Sequence, residues 1–238
     1  MISVLMPTYN QAQFLSRALA AFDSQTYRDV ELIVCDDAST DETPKMLGRT
    51  RLVRHEFNQG TAAAINSAFK LSQGEFVTWV SSDNVMYPNW LEVLHQEIRN
   101  FGAVYSGYNR VEGRLKIPVR QGPYRPDQLI ETENSYFGPS FLIRRECWAE
   151  HKGQTAHDYQ NWTRVEEICW LRGLTLGYVD ELLCDYHTGA WQTVRKFPER
   201  YDAGKWRDEA IRRRQSIGYH PGGAGPSVMQ RAMLSQHI

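Results

Sequence analysis

Apolar and polar positions alternate between two periods over the first hundred residues. Residues 2–6 form a short apolar run that suits a strand buried on both faces. Asn10, with Gln13 three residues on, suits a helix cap, and Leu15, Ala18, Leu19 and Phe22 share one helical face. Residues 30–35 read as a second strand. Ser39 with Glu42 suits a capping box for a short helix, as does Thr43 followed by Pro44. Residues 51–56 read as a third strand. Residues 61–73 read as a helix with Ala64, Ile65, Ala68 and Leu71 inward and Gly74 as its terminator. Residues 76–80 read as a fourth strand. Pro88 opens a further helix whose Leu91, Leu94, Ile98 and Phe101 align.

Strand alternating with helix predicts a parallel sheet covered on both sides, a Rossmann-like half over residues 1–102. Ligands on such sheets bind beyond the carboxyl ends of the strands. That rule directs attention to residues 7–10, 36–41 and 81–84. The pattern changes after Ala103. Residues 103–108 and 115–119 suggest a hairpin turning at Gly113, and 141–145 another strand. Residues 158–172 suggest a helix with Trp162, Val165 and Cys169 on one stripe. Residues 174–179 and 182–187 suggest two late strands, and 205–217 a polar, basic helix. The Gly- and Pro-rich run from His220 reads as a flexible tail.

Composition narrows the classes. A chain of 238 residues suits one domain, and a net charge of -1 gives no field that would draw it to nucleic acid. Cys35, Cys147, Cys169 and Cys184 lie far apart and form no C-x-x-C pair, which argues against a zinc knuckle. Cys35 reads as a small buried apolar side chain. The amino terminus lacks a basic region and Pro7 interrupts its apolar run, so no signal peptide is expected. No stretch approaches the roughly 18–20 apolar residues of a membrane span. The expectation is a cytoplasmic protein with reduced thiols.

Several motifs are missing. There is no G-x-G-x-x-G after the first strand, no G-x-x-x-x-G-K-[ST] and no G-x-S-x-G. Acids stand at the strand ends instead, and each has two readings. Asp36 and Asp37 suit a nucleobase N–H or a ribose hydroxyl, and equally a helix cap. Asp83 and Asn84 offer hard oxygens for Mg²⁺ or Mn²⁺, and equally a polar turn. Asp158 suits a general base or an N-cap. His187 suits a metal ligand, a phosphate donor or a structural role.

The order of these features resembles family 2 of the GT-A glycosyltransferases. Residues 3–10 (SVLMPTYN) are similar to its first strand and nucleotide loop, and 24–27 (SQTY) to its characteristic turn. Residues 31–41 (ELIVCDDASTD) resemble its "ELIVVDDGSTD" segment. Asn58-Gln59-Gly60 with Ala64-Ile65-Asn66 resembles its helix entry. Residues 138–146 resemble its acceptor-side strand, and His157-Asp158-Tyr159-Gln160-Asn161-Trp162 its "EDYDLW" helix start.

The resemblance implies a three-layer α/β/α sandwich with a mixed central sheet. Residues 1–102 would hold the nucleotide-sugar, 103–190 the acceptor and the catalytic acid, and 191–238 a C-terminal helix and tail. Pro7, Thr8, Tyr9, Asp36, Asp37, Asn58, Ser82 and Asp83 would form the donor site. Tyr9 would flank a uracil-type base and Asp37 accept its N–H, with Asp36 supporting the loop. Asp83, with His187, would bind Mn²⁺ or Mg²⁺ at the donor diphosphate. Asp158 would deprotonate the acceptor hydroxyl, with inversion of the anomeric centre. A UDP- or TDP-sugar donor and a carbohydrate or lipid-linked acceptor are expected.

Two departures stand out. Ser81 occupies the first place of the family's common D-x-D, leaving Asp83-Asn84, and His157 replaces the Glu before the catalytic acid. A protonated His157 would lower the Asp158 pKa. A sugar nucleotidyltransferase would want a Gly-rich basic loop where Thr8-Tyr9-Asn10-Gln11 stands. A catalytically inactive GT-A domain acting as a binding module is the alternative that Ser81 favours. Tyr105, Tyr108, Tyr136, Phe137, Trp162 and Trp191 suit sugar stacking or core packing. Arg195-Lys196 and Arg212-Arg213-Arg214 suit peripheral contact with an anionic membrane or a lipid diphosphate. They suit equally a solvated face interleaved with Glu199, Asp202, Asp208 and Glu209.

Overall fold

The computed structural model describes residues 1–48, 50–125, 137–150, 158–188, 203–219 and Pro226, with backbone alone for 158–160 and 203–206. Tyr136, His157, Trp191, Arg195, Lys196, Glu199, Asp202 and, Pro226 aside, the tail from His220 lie outside the described residues. The strands are β1 (Ile2–Thr8), β2 (Val30–Asp36), β3 (Arg51–Arg54), β4 (Phe76–Trp79), β5 (Val85–Met86), β6 (Ala103–Glu112), β7 (Leu115–Val119), β8 (Phe141–Arg144) and β9 (Leu176–His187). The helices are α1 (Ala12–Asp23), α2 (Thr43–Met46), α3 (Thr61–Leu71), α4 (Trp90–Glu97), α5 (Asp158–Leu171) and α6 (Ala203–Ile217).

One mixed sheet runs β3-β2-β1-β4-β8-β6-β9-β5, with β7 paired to β6. The first four strands are parallel, and β8 is antiparallel to both β4 and β6. Alternation along the strands sorts side chains into two cores. Leu5, Ile33 and Val77 meet α3 and α5 on one face, whereas Val4, Met6 and Val34 meet α1 and α4 on the other. The result is the expected three-layer α/β/α arrangement with a mixed sheet. Every residue of β1 is buried, as a central strand covered twice requires.

Several local expectations are corrected. Asn10 does not cap α1. Gln11 is its N-cap, without a side-chain bond, and the Asp41 carboxylate accepts the Ala12 N–H at 3.1 Å. Neither proposed cap opens α2: Glu42 precedes it without a capping bond, and Asp41 accepts the Thr43 N–H at 2.9 Å. Leu71 is 39% exposed, because α3 ends there, and Ser72 rather than Gly74 is its C-cap. Gly74 serves packing: a β-carbon on it would lie 2.6 Å from Ser3 Oγ. The two late strands are one, since Asp180 and Glu181 are the extra residues of a bulge between the Ser106–Val179 and Gly107–Leu182 pairs. β5 is too short to show periodicity and exists only through its antiparallel pairing with β9.

The SQTY segment works through the side chain of Gln25. Its amide donates to the carbonyls of Ala21 (3.0 Å) and Tyr87 (2.9 Å) and accepts the Leu91 N–H at 3.2 Å. A fully buried amide satisfied on both sides thus fixes the end of α1 against α4. Tyr105, Phe137 and Trp162 are buried, which makes them core rather than a sugar platform, and Tyr108 is half-buried. Arg213 and Arg214 are not a solvated face either. Arg213 pairs with Glu167 at 3.0 Å, and Arg214 is buried against Glu166.

Candidate active site

The parallel strands β2, β1 and β4 end on one edge, which gathers the loops after Thr8, Asp36 and Trp79. Thr8 joins all three. Its carbonyl accepts the Asp37 N–H at 2.9 Å, and its hydroxyl accepts that of Ser82 at 3.2 Å. Asn10 ties the first loop to the second: its amide oxygen accepts the Thr40 N–H at 2.8 Å, and its N–H reaches Ser39 Oγ at 2.9 Å. Asn10 (φ 53) and Ala38 (φ 65) both adopt the left-handed conformation, uncommon for residues other than glycine. Such residues persist only where their surroundings over-determine them. Tyr9, between Thr8 and Asn10, is 43% exposed at this edge.

The paired acids divide the work. Asp36 is fully buried and accepts the Ser39 N–H at 3.0 Å, with Arg54 Nε 3.3 Å from its other oxygen. It shapes the turn. Asp37 is 3% exposed and accepts three donors: His55 Nδ1 (2.7 Å), the Gln59 N–H (2.9 Å) and the Gly60 N–H (2.7 Å). Those bonds draw the β3–α3 loop beneath the β2 loop. Asn58, exposed, donates to the Asp37 carbonyl at 3.4 Å. Pro7 is the buried penultimate residue of β1.

The β5–β9 pairing sets Val85 opposite Asp185 in antiparallel register. The pairing ends at Val85, and Asp83, in the turn just before it, lies near enough to His187 to act on the imidazole electrostatically. The Asn84 side-chain oxygen accepts the His187 N–H at 3.3 Å, and Arg17 donates to the Asp83 carbonyl at 3.2 Å. Burial, then neighbouring Arg17, hold the His187 imidazole below its ordinary 6.5, against the opposing influence of Asp185 and Asp83. Neutral imidazole is the form that ligates a metal. Among the described residues no group of three or more His, Cys, Asp or Glu side chains converges as a metal site. One carboxylate and one imidazole fit a Mn²⁺ or Mg²⁺ ion that takes its remaining ligands from water and substrate phosphates.

The α5 helix runs antiparallel to β4. Near its start, Trp162 packs on Phe137 (ring centroids 4.1 Å apart) and Phe141 (5.0 Å), and Phe141 on Trp79 (5.8 Å) at the end of β4. Near its other end, Cys169 lies against Gly102, at the opposite edge of the sheet. Asp158, the first residue of α5 and one turn before Trp162, therefore stands at the edge that carries Tyr9, Asp37 and Asp83. From the other side, Glu166 accepts bonds from Tyr124, Tyr219 and Arg214 and so ties α5 to α6 and to the segment after β7.

Two residues of this edge, Arg17 and His55, are not marked by the sequence. An arginine on an exposed helical position and a histidine after an edge strand carry no spacing signal. Only the contacts made by the folded chain single them out.

Residues 3–162 match the family model described as glycosyl transferase family 2. The chain is 32% identical over 132 residues to the UDP-Glc:alpha-D-GlcNAc-diphosphoundecaprenol beta-1,3-glucosyltransferase WfgD of Escherichia coli, over 50% of this chain and 52% of the relative. It spans 58–59% of the length of other bacterial relatives. The fold is similar to S. aureus TarS 1-349 in complex with UDP-GlcNAc, with a TM-score of 0.68 at 20% identity over 97% of this chain and 69% of that one. It is also similar to the mannosyltransferase PcManGT of Pyrobaculum calidifontis in complex with GDP-Man and Mn²⁺. There the TM-score is 0.60 at 19% identity, over 99% of this chain and 79% of that one. Two thirds of the chain matching one family model, on a GT-A fold, makes this chain a member of glycosyl transferase family 2.

Proposed function

We propose that this chain is an inverting, metal-assisted glycosyltransferase that moves a sugar from a UDP- or TDP-sugar to a hydroxyl acceptor in glycan biosynthesis. The observation that carries the reading is the convergence of the Tyr9, Asp37 and Asp83 loops through Thr8, with the start of α5 at the same edge. UDP-GlcNAc in TarS and the UDP-glucose activity named for WfgD support a uridine donor. The diphosphoundecaprenol acceptor in the latter name supports a lipid-linked acceptor.

In this reading Tyr9 stacks on the base, Asp37 accepts its N–H, and Pro7, Thr8, Asn58 and Ser82 frame the nucleotide. Asp36 holds the turn. Asp83 and His187 would hold Mn²⁺ or Mg²⁺, which when bound neutralises charge developing on the departing diphosphate. Asp158 takes the proton of the acceptor hydroxyl. The new C–O bond forms as the sugar–phosphate bond breaks, and its electron pair leaves with the diphosphate. Attack from the side opposite the leaving group inverts the anomeric centre.

A thermal-shift screen of UDP-, TDP- and GDP-sugars with and without Mn²⁺ tests the donor assignment, because a ligand of the folded state alone raises the midpoint. A rise with uridine or thymidine donors, larger with Mn²⁺, is expected, and a response to none of them refutes the reading. Ser81 favours a second reading, an inactive binding module. Slow metal-dependent hydrolysis of the bound donor separates the two, since an inactive module binds without turnover.

A further inference from the structure

We propose that His55 is a positioning residue for the donor base, acting through Asp37. The inference rests on the donor reading above and adds a residue that the reading does not contain.

His55 follows β3, and its own N–H donates to the Asp36 carbonyl at 3.0 Å. The imidazole is 7% exposed and lies between two partners. Nδ1 is 2.7 Å from Asp37 Oδ1, and Nε2 is 2.9 Å from Ser67 Oγ on α3. Cys35 Sγ lies 3.6 Å from the same Nε2. A carboxylate only accepts, so Nδ1 carries the proton. In the neutral ring Nε2 then accepts, and the Ser67 hydroxyl donates to it. Burial, then Asp37 and Asp36, push the Cys35 thiol up to about 12, so it stays a neutral S–H beside the same nitrogen. The ring is satisfied at both ends and cannot turn without losing both bonds.

The consequence falls on Asp37. Its Oδ1 accepts from His55 and from the Gln59 N–H, and its Oδ2 accepts from the Gly60 N–H. A carboxylate has about four lone-pair positions, so three protein donors leave one, on Oδ2. An imide such as uracil or thymine offers an N–H to that position. Cytosine presents a lone pair at the same ring nitrogen and meets a fixed anion. Selectivity therefore depends on the carboxylate not rotating about its last bond. All three donors come from the β3–α3 loop, but His55 stands at its β3 end, where its own N–H holds the Asp36 carbonyl and its ring is braced by Ser67 on α3. Without His55, only the two adjacent backbone N–H groups of Gln59 and Gly60 hold the carboxylate, and the brace that runs through the imidazole to α3 is lost.

The test uses calorimetric titration of the full chain with UDP and with CDP in excess Mn²⁺. His55→Asn keeps an N–H near the place of Nδ1, whereas His55→Gln moves it toward that of Nε2. Loss of a charge-assisted bond corresponds to about tenfold in affinity. His55→Gln is expected to bind UDP about tenfold more weakly and to lose most of the UDP-over-CDP preference, with His55→Asn within about threefold of wild type. Equal preference in both variants and wild type overturns the proposal. So does a parallel loss of UDP and CDP, which would make His55 merely structural. If His55→Gln does not melt cooperatively, Ser67→Ala decides, and an unchanged preference there overturns the proposal. Wild type that binds neither nucleotide refutes the donor reading and this inference together. A preference for UDP that His55→Gln leaves intact refutes this inference alone.

Discussion

The Ser82 hydroxyl donates to the Thr8 hydroxyl across 3.2 Å, and this bond joins the loop after β4 to the end of β1. Thr8→Val keeps the shape and removes the acceptor, leaving the buried Ser82 hydroxyl without that partner. A stability loss of about 1–3 kcal/mol is expected in urea denaturation. UDP affinity should fall severalfold, because the Asp83 loop loses its tie to β1 while the Asp37 loop keeps its bond to the Thr8 carbonyl. Unchanged affinity would show that the loops hold their places independently.

Asp83→Asn tests the metal assignment. The amide keeps the side-chain shape and removes the charge. The extra stabilisation that Mn²⁺ gives to UDP binding should disappear in thermal-shift titration, while binding without metal persists. His187→Ala should weaken the same increment to a smaller degree. An undiminished Mn²⁺ effect in Asp83→Asn would place the ion elsewhere.

Asp158→Asn removes the proposed base at the start of α5. Turnover is expected to fall about 10²–10⁴-fold, the range for a positioned proton acceptor. Donor affinity should change less than twofold by calorimetry, since the donor loops come from β1, β2 and β4. Transfer at the wild-type rate would eliminate Asp158 as the base.

Glu31 predicts a pH dependence of stability. Burial opposes its charge, but the Ser3 hydroxyl, the Gln73 N–H, Arg51 and the Gly74 N–H outweigh burial and hold the carboxyl below its ordinary 4.5. A depressed folded pKa means the unfolded chain binds the proton more readily. The stabilisation is therefore complete above 4.5 and lost as pH falls through the lower folded value. Glu31→Gln should cost about 1–2 kcal/mol at pH 7. Its unfolding curve should converge on that of wild type in acid. A difference that grows on acidification would contradict the assignment.

The α5–α6 junction buries a network in which Glu166 meets Arg214, Tyr124 and Tyr219. Removing one partner leaves an uncompensated buried charge, so Arg214→Met should cost about 3–5 kcal/mol. The double variant Glu166→Leu/Arg214→Met should be less destabilised than Arg214→Met alone, as a double-mutant cycle in urea would report. A double variant at least as unstable would mean that packing, not charge, dominates.

Much of the amino-terminal half was legible because its information is local. The strands that became β1, β2 and β4 were marked by apolar runs, and the loops after them by Pro7–Asn10, Asp36–Asp41 and Ser81–Asn84. The parallel-sheet rule pointed to the edge where Tyr9, Asp37 and Asp83 stand. Where local signals met non-local demands they misled. Asn10 has a good capping chemistry, yet its amide is used by the β2 loop. Asp180-Glu181 reads as a break, yet it is a bulge within β9 that lets the strand follow β6.

By itself, then, the amino-acid order determined the alternation of strand and helix, the layers and the acids at the strand ends, because those follow from periodicity and from residue types within a few positions. Only the tertiary structure decided what surrounds each acid: Asp36 shapes a turn, Asp37 is fastened by His55, and Asp83 lies near His187 beside the β5–β9 pairing. These contacts join residues far apart in the chain. Their partners are chosen by register and packing, which no window of sequence contains.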